Sequence, residues 1–165
     1  MQSPSGSPLI VVDPHMHLWD TRRVRYPWLE SRQPAFSGDN RLLPDPYGVP
    51  QLLQDATEVD LRMSVHVEAN PENPVLEAGW LQSLADDPVN RGHPHGIVAY
   101  ADLSRSDVAA TLDALAALRC MRGIRQILNM HADARYRYVT HDYLADPLWR
   151  SNLARLIAHG WSFDL

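Results

Sequence analysis

His15 and His17 stand one residue apart in Val11-Val12-Asp13-Pro14-His15-Met16-His17-Leu18, directly after the apolar run Leu9-Ile10-Val11-Val12. Neutral imidazole binds metal ions, and protonated imidazole donates hydrogen bonds. In extended backbone, residues i and i+2 share a face. The two rings can therefore converge on one metal ion or on one substrate oxygen. Parallel α/β barrels place their chemistry at the carboxyl ends of strands, which is where this pair falls. Spacing alone leaves open that these are two ordinary loop histidines among the 8 in the chain.

Other residues of chemical interest sit at comparable places. Glu68 closes the run Leu61–Val67 and can act as a ligand or substrate contact, or as a plain surface or cap acid. His66 shares its parity and reads as a packed core histidine. Arg125 lies within the apolar segment Gly123-Ile124-Arg125-Gln126-Ile127-Leu128. A guanidinium there needs a carboxylate partner, such as Glu68 or Asp164, or a substrate anion. Asp164, at the end of a last apolar stretch, can face the site or serve as a structural acceptor. Asp13 reads as a residue that holds the first loop in place. A second His-x-His, His93 and His95, precedes a strand and so belongs to the opposite end of a barrel. His131 and His141 are too loosely spaced to form a site with each other. Cys120, the single cysteine, sits among Leu118, Met121 and Ile124 and reads as a small buried hydrophobe.

These residues need elements to position them. Apolar runs at residues 9–13, 61–67, 96–100, 123–128 and 161–165 read as five strands. Helical patterns fall between them at residues 49–57, 74–85 and about 106–118, and from Pro147 to a stop at Gly160. Asn73 with Pro74, and Asp146 with Pro147, are helix-start signals. Strand then helix, repeated without a hairpin signal, predicts an α/β fold with a parallel sheet. Residues 18–50 are rich in proline and aromatics and read as a long irregular loop over the barrel mouth. Residues 1–8 read as a disordered tail, and residues 9–165 as one barrel unit. A full eight-stranded barrel takes roughly 250 residues. The 165 residues here therefore predict a partial (β/α)8 TIM barrel, strands one to five, cut from a longer one.

Composition narrows the partners. Hydrophobic residues make up 45% of the chain and the formal net charge is -5, as expected of a folded protein without a nucleic-acid footprint. The basic cluster Arg22-Arg23-Val24-Arg25 reads as a solvated face or an anion contact. No stretch approaches a membrane span, and the first residues lack a secretory pattern, so the expectation is a cytoplasmic protein. The two open edges of a five-stranded part-barrel predict self-association or pairing with a complementary fragment.

The ordered set of segments resembles one known family. It comprises Val12-Asp13-Pro14-His15-Met16-His17-Leu18-Trp19-Asp20, Tyr26-Pro27-Trp28-Leu29, Val65-His66-Val67-Glu68-Ala69, Gly96-Ile97-Val98-Ala99-Tyr100-Ala101-Asp102-Leu103, Gly123–Leu128 and Gly160–Leu165. Together they resemble the amidohydrolase-related TIM-barrel hydrolases, and within them the branch of sugar lactonases and 2-pyrone-4,6-dicarboxylate lactonase. The resemblance implies a hydrolase that opens a small lactone by water attack on the carbonyl. His15 and His17 would then be catalytic, polarising the carbonyl or holding a divalent metal, zinc first, while a metal-free mechanism stays open. Arg125, Glu68 and Asp164 would bind an anionic small-molecule substrate. The family's further histidine and its general-base aspartate would fall beyond Leu165. The alternatives are a metal-dependent decarboxylase of the same superfamily and a non-catalytic half-barrel.

Overall fold

The computed structural model describes residues 7–31 and 38–165. The expected tail, save residues 7 and 8, and Pro34 and Phe36 of the long loop lie outside them. Five strands form one parallel sheet in the order β1 (Leu9–Met16), β2 (Val59–Val67), β3 (Gly96–Tyr100), β4 (Met121–Arg125) and β5 (Ser162–Asp164). Sequential parallel neighbours joined by helices are the topology of a barrel, here curled as a half-barrel.

The connections carry α1 (Pro27–Glu30), α2 (Val49–Asp55), α3 (Pro74–Asp86), α4 (Val108–Ala116), α5 (Pro147–Leu153) and α6 (Leu156–His159). Helix α3 starts where expected, because the Asn73 side chain accepts the Leu76 N–H at 3.0 Å. Such a cap contributes about 1 kcal/mol. The predicted helix from Pro147 to Gly160 is broken in two at Ala154 and Arg155, and Gly160 ends it in the left-handed region at φ 65°.

Two strand predictions need correction. β1 runs three residues past Asp13, so His15 lies inside the strand. Pro14 is tolerated because it falls in the register shift between Asp13 and Met16, where β1 leaves its ladder with β2. β4 starts two residues early and ends at Arg125. Gln126 leaves the ladder because its buried side chain is engaged elsewhere. Its Oε1 accepts Leu103 N–H at 3.1 Å and Trp149 Nε1–H at 2.8 Å.

The main core lies between sheet and helices and includes Leu81, Ile97, Leu103, Leu112, Leu115, Ile124 and Trp149. Helix α4 supplies Val108, Leu112 and Leu115, the helical stripe visible in the sequence. Cys120 is buried in this core as a free thiol. A second cluster of Trp19, Val24, Tyr26, Leu29 and Ala69 gives the long first loop its own packing. Trp19 and Tyr47 also pair through an antiparallel bridge, so the described parts of that loop are built, not irregular. The arginines of the basic cluster are all engaged: Arg22 and Arg23 with Asp20, and Arg25 with Glu30 and Glu72. Among the described residues no helix is long and apolar enough to cross a membrane.

Candidate active site

The carboxyl ends of β1, β2, β4 and β5 bring the candidate residues to one end of the sheet. His15 and His17 meet edge to face, with ring centroids 5.1 Å apart. Asp13 fixes the approach by accepting the His15 backbone N–H at 3.0 Å, the holding role expected of it. His17 Nδ1 lies 2.7 Å from the Val67 carbonyl oxygen. A carbonyl can only accept, so Nδ1 carries the proton and Nε2 is left with a free lone pair. Burial, the largest influence, holds the His17 imidazole below its ordinary pKa, and the neighbouring His66, His15 and Arg125 push the same way. A neutral ring with its Nδ1–H on a carbonyl is the form that ligates metals.

Glu68 follows β2 and is fully buried. Its Oε1 accepts from Arg125 Nη1 at 3.1 Å, and its Oε2 accepts the Asn70 N–H at 2.6 Å. Burial raises the Glu68 pKa, while the Asn70 amide and the Arg125 charge hold it back. Asn70 adopts φ 54°, a left-handed conformation that asparagine tolerates better than most residues. Arg125 keeps further donors: its buried Nε has no hydrogen-bond partner among the described residues. The guanidinium thus has a structural partner, and its partly exposed end, not the sealed Nε, is what can meet an anion.

His17, Glu68 and Arg125 line one cavity of about 960 Å³, together with Trp19, Trp28 and Asn129. His15 and Asp164 do not line it; they pair with each other, Asp164 Oδ2 lying 3.9 Å from His15 Nδ1. Trp28 is anchored to the β2 end by its indole N–H, which donates to the Ala69 carbonyl at 2.6 Å. The aromatic wall of Trp19, Trp28 and Tyr138 was not anticipated residue by residue, although the aromatic richness of the first loop pointed to it.

Zinc in a catalytic site takes three protein ligands and one open position. His15 and His17 offer two imidazoles whose ring centroids lie 5.1 Å apart. Among the described residues no group of three His, Cys, Asp or Glu is placed to hold a metal ion.

The remaining histidines lie elsewhere. His66 is fully buried, as expected, with Nδ1 accepting the Leu18 N–H at 3.1 Å. His93 and His95 sit before β3, at the opposite end of the sheet, where His93 Nδ1 pairs with Ser64 Oγ at 2.7 Å. His141 is exposed and pairs with Asp146, and His131 bonds within its own turn. Neither lines the cavity.

Comparison with known proteins bears on the fold. No protein-family profile matches the chain. It is 37% identical over 163 residues to an uncharacterised protein, y4mH, of Sinorhizobium fredii, covering 96% of this chain and 54% of that protein. Among solved structures it is similar to an amidohydrolase 2 from Bifidobacterium longum subsp. infantis, with a TM-score of 0.62, 22% identity, and 95% of this chain and 51% of the other covered. It is similar to an amidohydrolase from Burkholderia multivorans with bound zinc, with a TM-score of 0.63, 22% identity, and 97% and 49% covered. A probable 2-pyrone-4,6-dicarboxylic acid hydrolase from Acinetobacter baumannii, with citric acid bound, follows at a TM-score of 0.54, 16% identity, and 94% and 48% covered. The chain thus has the fold of one half of these barrels and spans about half the length of the proteins it matches.

Proposed function

We propose that this chain is the strand-one-to-five part of an amidohydrolase-type hydrolase that opens a small anionic lactone. The observation that supports this best is the shared cavity. A neutral His17 with its Nδ1 pinned and a partly exposed Arg125 line the same space. In the reaction a water oxygen adds to the lactone carbonyl carbon. The ring C–O bond then breaks, and the leaving oxygen takes up a proton to give a hydroxy acid. His17 and His15 polarise the carbonyl or hold a divalent metal, and Arg125 grips the substrate carboxylate. A metal ion held there would lower the pKa of its bound water. The zinc in the Burkholderia amidohydrolase and the citric acid in the Acinetobacter protein point toward a divalent metal and an anionic ligand for this chain. We place the water-activating base in the part of these barrels that the chain does not span.

The test is a screen of the full-length protein against lactones bearing a carboxylate, read by mass gain of one water. Parallel reactions contain chelator, or chelator followed by zinc. Ring opening that is lost in His17→Ala supports the reading. No ring opening, with carbon dioxide released from an aromatic carboxylic acid, would make the protein a decarboxylase instead.

A further inference from the structure

Behind the cavity wall, three fully buried polar side chains come together: Tyr26, His66 and Glu77. None of them lines the cavity. Glu77 sits on α3, one turn before Leu81 and two before Ala85, so it occupies the core face of that helix. A carboxylate there is costly compared with an apolar side chain unless its bonds achieve something else.

One hydrogen bond and one electrostatic contact of Glu77 reach toward the two strand ends that carry the site. Glu77 Oε1 accepts the backbone N–H of Ala69, the residue after Glu68, at 3.2 Å. The same oxygen lies 3.7 Å from His66 Nε2, an electrostatic contact too long for a hydrogen bond; among the described residues neither His66 Nε2 nor Glu77 Oε2 has a hydrogen-bond partner. His66 Nδ1 accepts the N–H of Leu18, the residue after His17. An accepting Nδ1 puts the ring proton of neutral His66 on Nε2, facing the carboxylate. Burial and the Glu77 charge both raise the Tyr26 pKa, so the phenol stays protonated near that carboxylate, with no hydrogen-bond partner among the described residues.

We propose that Glu77 is a positioning residue that fixes the backbone beside Glu68 by a hydrogen bond and, by its electrostatic contact with His66, orients the ring that holds the backbone beside His17. One carboxylate on a helix thereby sets the separation of two side chains that arrive on different strands. The assignment rests on the reading of His17 and Glu68 as site residues, but its test reads the side chains themselves.

The experiment is proton–nitrogen correlation spectroscopy on the full-length protein labelled with 15N-histidine, with His66→Gln used to assign the His66 signals. The expected result is His66 protonated on Nε2 and bare on Nδ1, and His17 protonated on Nδ1. Glu77→Ala should shift the His17 ring signals and lower kcat/KM for a lactone at least ~10-fold, chiefly through kcat. Glu77→Gln keeps an acceptor for Ala69 and should restore most of both. A His66 protonated on Nδ1 in the unaltered protein overturns the proposal without any variant, which covers the case of Glu77→Ala failing to fold. Glu77→Ala with unchanged His17 signals and only a lower Tm also overturns it. The expected signals without any lactone activity would count against the proposed reaction and in favour of the positioning role.

Discussion

His15 and Asp164 belong to the first and last strands of the sheet, yet His15 Nδ1 lies 3.9 Å from Asp164 Oδ2. Strands at opposite edges of a flat five-stranded sheet would lie about 19 Å apart, four spacings of about 4.8 Å. The curl of the sheet therefore brings its two outer tips toward each other. A residue from each edge completes a single polar cluster.

That pair should matter for chemistry more than for stability. Both side chains are partly exposed, and exposed pairs of this kind contribute about 0–1 kcal/mol. His15→Asn and Asp164→Asn should leave the urea midpoint of the full-length protein almost unchanged. The same substitutions should lower its kcat/KM for a lactone more than ~10-fold. A midpoint that falls as far as the activity would make the pair structural.

The Arg125–Glu68 pair should behave in the opposite way. Glu68 is fully buried, so Arg125→Met strands a carboxylate and should cost about 3 kcal/mol. The double variant Arg125→Met with Glu68→Gln should recover most of the loss. Chemical denaturation of the two single variants and the double measures this coupling. Additive losses would show that the two groups do not depend on each other.

Two groups of the site set opposing pH dependences. Burial raises the Glu68 pKa above its ordinary 4.5, so the folded protein keeps a proton that the unfolded chain has released. The Glu68 contribution is full below 4.5 and is lost as pH rises through its folded value. Burial lowers the His17 pKa below its ordinary 6.5, so its contribution is full above 6.5 and is lost as pH falls through its folded value. Denaturation midpoints across this range should show Glu68→Gln flattening the loss on the rising side and His17→Asn the loss on the falling side. Unaltered slopes in both variants would remove these groups as the cause.

Gly123 holds β4 and β5 close. A Cβ there would lie 2.8 Å from the Ser162 carbonyl oxygen, a backbone atom that cannot swing aside. Gly123→Ala should cost about 1–3 kcal/mol in thermal melts. Adding Ser162→Ala should not restore the loss, because the backbone contact remains. Full rescue would locate the crowding in the serine hydroxyl.

Much of this architecture could be read from residue order. β3 falls where its continuous apolar run ends, since nothing polar competes for Gly96–Tyr100. β4 was misplaced because Ile127 and Leu128 extend the apolar pattern, while the buried bonds of Gln126 that pull the chain out of the ladder are long-range. The placement of His15, His17, Glu68 and Arg125 at one end of the sheet was legible from strand parity and position. The Arg125–Glu68 partnership was one of several pairings the order of residues allowed, and only the packed sheet selects it. Glu77 escaped notice because an acid in a first helical turn is ordinary. Its place in line with Leu81 and Ala85 was the available signal.

The anchoring of Trp28 to the Ala69 carbonyl has an optical consequence. Of the 5 tryptophans in the chain, Trp19 and Trp28 line the cavity, and Trp19 stacks on Tyr47 at 5.3 Å between ring centroids. Trp80, Trp149 and Trp161 do not line it. Light emitted by the first two indoles answers to whatever enters the cavity, against a constant background from the other three. The molecule carries its own gauge of occupancy, readable before any substrate is known.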